Sequence, residues 1–186
     1  MPVLPIVTYD DPVLRKKADP IEADTDELQD LIDDMFETMY NANGVGLAAP
    51  QVGETLRLFV VDADVMAEDD EQKILHGPMV FINPELSEVK SEFVEMEEGC
   101  LSLPELRDRV TRPGKIRAKF LDRDFHRKEM VFSDWMARVV QHEYDHIEGI
   151  LFIDHLGSFR RRLLRGKLNQ INAGDLPAEY PLALKE

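Results

Sequence analysis

The sequence is short of the features that would place it in several large classes. It has one cysteine in 186 residues, so no disulfide can close within the chain and a reducing, cytoplasmic setting is expected. Nowhere does it approach the roughly 18 consecutive apolar residues of a membrane span. Its opening, Met1-Pro2-Val3-Leu4-Pro5-Ile6-Val7, lacks the basic stretch and long apolar core of a secretory signal. Positive charge is scarce, with 22 Lys and Arg against 37 Asp and Glu and a formal net charge of −15. Such a balance repels nucleic acid and anionic surfaces, which argues against DNA binding and membrane association. With 10 Gly and 11 Pro, collagen-like and low-complexity architectures are excluded. What is present is 44% hydrophobic and 32% charged, without repeat or linker, and the length suits one domain over residues 1–186.

Residues 24–43 read as a helix, because Leu28, Leu31, Ile32, Met35, Phe36, Met39 and Tyr40 draw one apolar stripe. Asp24 is the expected N-cap with Glu27 as its capping-box partner, and Asn43-Gly44 the stop. From residue 55 to 132 the period falls to two, with strands expected at 56–61, 79–82, 86–96, 107–112, 115–121 and 128–132. Residues 62–78 read as an acidic surface excursion, Pro113-Gly114 as a hairpin turn and 122–126 as a further turn. A second helix is expected from an N-cap at Ser133 to a stop at Gly149, and a third over 158–169. From about residue 173, with Gly174, Pro177 and Pro181, the tail is expected to be irregular. Short sequential strands joined by tight turns imply antiparallel pairing, and with flanking helices they define an α+β fold.

The sharpest chemical signal is His142-Glu143-Tyr144-Asp145-His146, which falls inside the second helix. Residues four apart share a helix face, so both imidazoles can reach one ion while Glu143 leans over it as general base. A third ligand must come from elsewhere. Phe152 stands where a metzincin needs histidine, and no Asp or Glu follows between His155 and Gly174 to serve as a thermolysin-type ligand. His155 could serve, but it lies beyond Gly149 and is expected outside the helix. Cys100, in Glu98-Gly99-Cys100-Leu101-Ser102-Leu103-Pro104, is the remaining strong candidate, although a lone cysteine is also a common buried apolar residue. Three ligands, Cys100, His142 and His146, leave a fourth position for water, the mark of a catalytic centre. A third stretch, Gly44-Val45-Gly46-Leu47-Ala48-Ala49-Pro50-Gln51, reads either as a helix stop or as a backbone that approaches a ligand. There Gln51 offers a neutral amide to an oxyanion. Two rivals differ in ligands: a metallopeptidase of another fold would lack the cysteine, and a structural metal module would need a fourth protein ligand.

Together the stretches 44–51, 98–102 and 141–146, in this order and spacing, resemble the peptide deformylase family, from about Leu4 to the third helix. The resemblance implies an α+β fold of mostly antiparallel sheets packed around a central metal-binding helix, with Cys100, His142 and His146 as ligands and Glu143 as catalytic acid and base. It implies Fe²⁺ as the physiological metal, replaceable in preparations by Zn²⁺, Ni²⁺ or Co²⁺, whereas spacing alone points to zinc. The implied reaction removes the formyl group from the formyl-methionine of nascent polypeptides. In it Gln51 and the Leu101 N–H hold the oxyanion, and Gly44, Val45 and Gly46 lie along the substrate. Val45, Gly99, Leu101, Trp135, Val139 and the face of His142 line the methionine pocket by the same resemblance, with core packing an equal reading for Trp135 and Val139. Arg107 and Gln141 also match, as a substrate contact and a partner of the centre or as ordinary polar residues. The basic block Arg160, Arg161, Arg162, Arg165 and Lys167 reads as a solvated face or a ribosomal RNA contact near the exit tunnel. The excursion 62–78 and the tail are individual to this chain, so ribosome contact and dimerisation do not carry over.

Overall fold

The computed structural model describes residues 2–67 and 75–183. The first helix, α1, runs over Asp26–Asn41, with Thr25 rather than Asp24 as its cap. A cap oxygen must reach an amide in the first turn, and the Thr25 hydroxyl accepts from the Leu28 N–H at 3.2 Å. The Asp24 carboxylate, one residue too early, instead accepts from the Gln29 side-chain amide at 2.8 Å. At the other end Asn43, at φ 52°, takes the left-handed turn that stops the helix.

Among the described residues there are nine strands: β1 (Ile6–Val7), β2 (Gly46–Ala48), β3 (Leu58–Val61), β4 (Met79–Glu88), β5 (Phe93–Cys100), β6 (Leu103–Pro113), β7 (Lys115–Leu121), β8 (Arg127–Ser133) and β9 (Leu182–Ala183). Five form an antiparallel sheet in the order β2-β3-β4-β7-β8, while β5 and β6 make a separate antiparallel ribbon. The mixed helix-and-strand architecture with antiparallel sheets therefore matches expectation, but several connections do not. The segments expected at 79–82 and within 86–96 join as β4, whose register shifts between Ile82 and Glu85. There Asn83 has φ 49° and Pro84 has no N–H, which bends one strand without ending it.

The hairpin expected across Pro113-Gly114 does not form. Pro113 pairs with Phe93 in the ribbon, whereas β7 pairs with β4 and β8 in the sheet. The Gly114 N–H donates to the Glu92 carbonyl at 2.8 Å, so the two residues hand the chain from ribbon to sheet. A Cβ on Gly114 would lie 3.0 Å from that oxygen, which is why glycine stands there. Packing decides the partners: Ile116, Ala118 and Phe120 of β7 join Phe59, Phe81 and Phe132, while Leu106 and Val110 of β6 join Leu151 and Phe152. Of the acidic excursion, residues 68–74 lie outside the described residues.

The second helix, α2 (Asp134–Ile147), lies between sheet and ribbon, with Ala137, Val140 and Ile147 in the aromatic core of the sheet. Its N-cap is Ser133, yet the hydroxyl donates to the Asp134 carboxylate at 2.6 Å instead of accepting from a helix amide. Gly149, at φ 75°, turns the chain after the helix. The third helix, α3 (Ser158–Asn172), runs three residues further than expected. Nor is the tail irregular throughout: β9 pairs in parallel with β1, because Leu176, Tyr180 and Leu182 still have apolar surface to bury. Among the described residues no helix is long and apolar enough to cross a membrane.

Candidate metal centre

The strand β5 ends on Cys100 directly over the face of α2 that carries His142 and His146. Cys100 Sγ lies 3.3 Å from His146 Nε2, and the donor atoms of the three residues all fall within 4.8 Å of one another. Helix periodicity supplies the histidine pair, and the ribbon brings in the sulfur. His155 is not part of the cluster, because beyond Gly149 the chain turns away and its Nε2 meets the Asp145 carboxylate at 2.7 Å. Among the described residues no fourth His, Cys, Asp or Glu joins the three.

Beneath the imidazoles sits a buried ionic network that no sequence motif announces. Glu98, 5% exposed, accepts from His142 Nδ1 at 2.9 Å, fixing that ring so that Nε2 faces the centre. The same carboxylate receives Arg112 at 2.7 and 3.0 Å and Arg138 at 2.6 Å. Arg112 continues to Asp145 at 2.7 Å, and Arg138 donates to the carbonyls of Val94 at 2.6 Å and Val110 at 2.8 Å, stitching both ribbon strands to α2. Burial pushes the Glu98 carboxyl up, but the hydrogen bonds from His142 and Arg112 outweigh it and hold the group ionised below the usual carboxylate range. Gln141, matched to the family pattern, points away from the centre: its amide donates to the carbonyls of Pro113 at 3.1 Å and Ala137 at 3.0 Å.

The electrostatics suit a cation. Burial, together with the charges of His142 and Arg112, holds His146 well below its ordinary value, in the neutral form that donates a lone pair. Burial also opposes a charged His142, yet its bonds to Cys100 and Glu98 and the nearby Glu143 raise it instead. The centre therefore attracts positive charge, as a proton or as a metal ion. One sulfur and two imidazole nitrogens within reach of a single point are the donors that divalent zinc, iron, nickel and cobalt accept, so the residues fit such an ion.

Glu143 is 4% exposed, and its Oε2 is buried without a hydrogen-bond partner among the described residues. Burial pushes its carboxyl up to about 7, with His142 opposing and Glu98 and Asp145 adding to the rise. A Cβ on Gly46 would lie 2.5 Å from Glu143 Oε1, so that glycine makes room for the carboxylate itself. Gly44 faces Leu101 in the same way, at 3.0 Å from its Cδ1. Gln51 is 1% exposed; its Oε1 accepts from the Ala48 N–H at 2.9 Å, leaving Nε2 to point at Cys100 Sγ, 3.5 Å away.

A cleft of about 840 Å³ opens over the centre, lined by Gly44, Val45, Gly46, Gln51, Gly99 and Leu101 on one side and Trp135 and Val139 on the other. Val139 is at once buried core and cleft wall, so the two readings of that residue are not exclusive. Arg107 lines the rim with its side chain 72% exposed and its nearest carboxylate, Glu97, 3.9 Å away. Of the basic block, Arg160 is bound to Asp108 at 2.6 Å and Lys167 to the Glu105 carbonyl, which leaves Arg161, Arg162 and Arg165 outward. Tyr180, from the tail, also lines the cleft and donates to the Leu101 carbonyl at 2.8 Å. Nothing local in the sequence marks Arg112, Arg138 or Tyr180, since each is defined by a partner far away along the chain.

The sequence profile of the polypeptide deformylase family matches residues 3–162. A peptide deformylase of Salinibacter ruber is 51% identical over 188 residues, covering 99% of this chain and 96% of its own length. One from Cytophaga hutchinsonii is 49% identical over 178 residues, covering 96% and 95%. The crystal structure of a peptide deformylase from Legionella pneumophila superimposes with a TM-score of 0.82 at 40% identity, covering 94% of this chain and 98% of that one. The Ehrlichia chaffeensis peptide deformylase in complex with actinonin gives 0.84 at 34% identity, covering 95% and 100%. With its cleft, candidate metal centre and fold accounted for together, the chain belongs to the polypeptide deformylase family, metal-dependent hydrolases that remove the N-terminal formyl group from nascent polypeptides.

Proposed function

We propose that residues 1–186 act as one catalytic domain in which Cys100, His142 and His146 hold a single Fe²⁺, with Zn²⁺, Ni²⁺ or Co²⁺ able to replace it. When bound, the ion supplies Lewis acidity, which lowers the pKa of water and polarises a carbonyl oxygen. Glu143 accepts the proton of the attacking water as the formyl carbon becomes tetrahedral, then returns it to the departing amine, and formate leaves. Its buried Oε2, without a partner among the described residues, supports this role, because a carboxylate committed to an ion pair would not be free to cycle a proton. The oxyanion is held by Gln51 Nε2 and the Leu101 N–H. For Gln51 the supporting feature is its orientation: the bond from Ala48 N–H locks the oxygen away from the cleft and turns the donor towards it.

The substrate peptide lies along Gly44, Val45 and Gly46, adding a strand to β2, which is an edge of the five-stranded sheet. Gly99, Leu101, Trp135 and Val139 enclose the methionine side chain, and Arg107 contacts the peptide at the rim. The enzyme works in the cytoplasm, where Arg161, Arg162 and Arg165 of α3 offer a surface to ribosomal RNA near the exit tunnel.

The observation that carries the reading is the convergence of Cys100, His142 and His146 beside a buried Glu143 oxygen that has no hydrogen-bond partner among the described residues. Formate release from a formyl-Met peptide, measured anaerobically with Fe²⁺ or in air with Ni²⁺, tests it. Glu143→Gln is expected to retain metal but lose at least about a hundredfold in kcat, and Cys100→Ser to lose metal. Robust turnover by Glu143→Gln would overturn the mechanism.

A further inference from the structure

Residues 101 and 102 form the tight turn between β5 and β6, where the ribbon's register shifts and Cys100 pairs directly with Leu103. Carbonyls in such a turn are left without ladder partners and must find them elsewhere or stay mobile. Here both find them in segments remote along the chain. The Tyr9 N–H donates to the Ser102 carbonyl at 3.0 Å, and the Tyr180 hydroxyl donates to the Leu101 carbonyl at 2.8 Å. The two donors are themselves coupled, since β1 and β9 pair in parallel and the Ile6 N–H donates to the Pro181 carbonyl at 2.9 Å. The C-terminal strap is thus pinned one residue beyond Tyr180. Pro177, Ala178, Glu179 and Tyr180 line the same cleft as the candidate centre. The Tyr180 ring packs with Leu101 against the apolar cluster of α1, β2 and β3.

We propose that Tyr180 is a positioning residue for deformylation: by holding the Leu101 carbonyl, it fixes the neighbouring Leu101 N–H where the oxyanion forms. This rests on the oxyanion role given above to that N–H. Only a donor whose direction is fixed before reaction stabilises developing charge without first reorganising. A turn held by the strap has that property, and one released at Leu101 does not. Burial, with the charges of Cys100 and Glu105, pushes the Tyr180 phenol up to about 12, so the hydroxyl is a donor throughout the neutral range. The strap therefore contributes to turnover without touching the reacting atoms.

The test is steady-state kinetics of the full-length, metal-loaded enzyme on a formyl-Met peptide, comparing wild type with Tyr180→Phe and Tyr180→Leu. Tyr180→Phe keeps the packed ring and removes only the hydroxyl. It is expected to lower kcat about threefold to tenfold, with KM changed less than about twofold and metal content unaltered. Tyr180→Leu should show at least the same loss in kcat. A strap that mattered only for folding would lower the melting temperature of these variants and leave the kcat of the folded fraction at the wild-type value, which overturns the proposal. So would a loss traced entirely to KM or to missing metal. Failure of wild type to release formate, or full activity in Glu143→Gln, would instead bring down the underlying mechanism. With those two behaving as stated, a wild-type kcat in Tyr180→Phe sinks the Tyr180 assignment alone.

Discussion

Helices α1 and α2 are of similar length, 16 and 14 residues, but they are buried in opposite ways. In α1 five residues are buried, Leu28, Ile32, Met35, Thr38 and Met39, and the opposite face is charged and open to solvent. In α2 ten are buried, and five of these, Arg138, Gln141, His142, Glu143 and His146, are polar or ionisable. Apolar burial is favourable wherever it occurs, so α1 needs only a core to lie on. Ionisable groups are costly to bury unless paired, so α2 is possible only because the β5–β6 ribbon brings Glu98 and Arg112 to meet it. The stability of α1 is local packing. That of α2 is a network with members from three elements, β5, β6 and α2 itself.

The largest difference between the helices should appear when each loses one buried partner. Glu98→Ala leaves Arg112 and Arg138 buried without their shared anion and frees the His142 ring. The loss is expected to be about 3–5 kcal/mol in urea unfolding of the metal-free protein. Metal affinity should also fall, by about tenfold to a hundredfold. Ile32→Ala, at a fully buried position of α1, should cost about 2–5 kcal/mol through its cavity alone. Its metal affinity and its kcat per folded molecule should be those of wild type. If Glu98→Ala binds metal as tightly as Ile32→Ala, the network does not serve the centre and the contrast between the helices fails.

A smaller effect is expected where the two helices meet the same short segment. Gly44 and Gly46 follow α1, and each abuts a different partner. At Gly46 an added Cβ would sit 2.8 Å from Glu143 Cδ and Cγ, so Gly46→Ala must displace the carboxylate. A shift of that order costs about a hundredfold in kcat. At Gly44 the nearest atom is the flexible end of Leu101, and Gly44→Ala should cost much less. Comparable losses in the two variants would mean that the glycines serve backbone approach of the peptide in general, not room for Glu143.

The same contrast explains what could be read from the sequence. The stripe of α1 was legible because a one-sided helix writes its burial as a period, and only its cap was misplaced, from Thr25 to Asp24. The histidine pair of α2 was legible for a geometric reason, since His142 and His146 are one helical turn apart on one face. Cys100 could be reached by elimination among few candidate ligands. Glu98 stands two residues before Cys100 with nothing in the sequence to mark its part, and Arg112 and Arg138 carry no signal at all, because a buried charge is explained only by its partner. Pro113-Gly114 misled for a related reason. The dipeptide sets a turn, but which strands lie on either side is decided by the faces of β6 and β7 and the cores they can join.

The smallest expected effect lies on the open face of α1, where an ion pair exists that is the exposed counterpart of the network under α2. Asp33 accepts from Arg123 at 2.6 Å, and Arg123 also donates to the Gln29 side chain at 2.8 Å, clasping α1 to the turn between β7 and β8. The hydrogen bond from Arg123 holds the Asp33 carboxyl below its ordinary value. A carboxyl depressed in the folded state adds stability that is complete above its unfolded pKa, near 4, and is lost as pH falls through the lower folded value. Both side chains are more than a third exposed, 41% for Arg123 and 36% for Asp33, so water and salt screen the pair. Its worth at neutral pH should not exceed about 0.5–1 kcal/mol. Asp33→Asn is therefore expected to cost that much at pH 7 in low salt and almost nothing in high salt or once the pH has fallen below the lowered folded-state value. The penalty of Glu98→Ala should survive high salt, because that carboxylate is only 5% exposed and already paired with two arginines. Equal salt sensitivity in the two variants would show that the Glu98 network is hydrated, and would remove the reason for treating α2 as a helix held by desolvated charge.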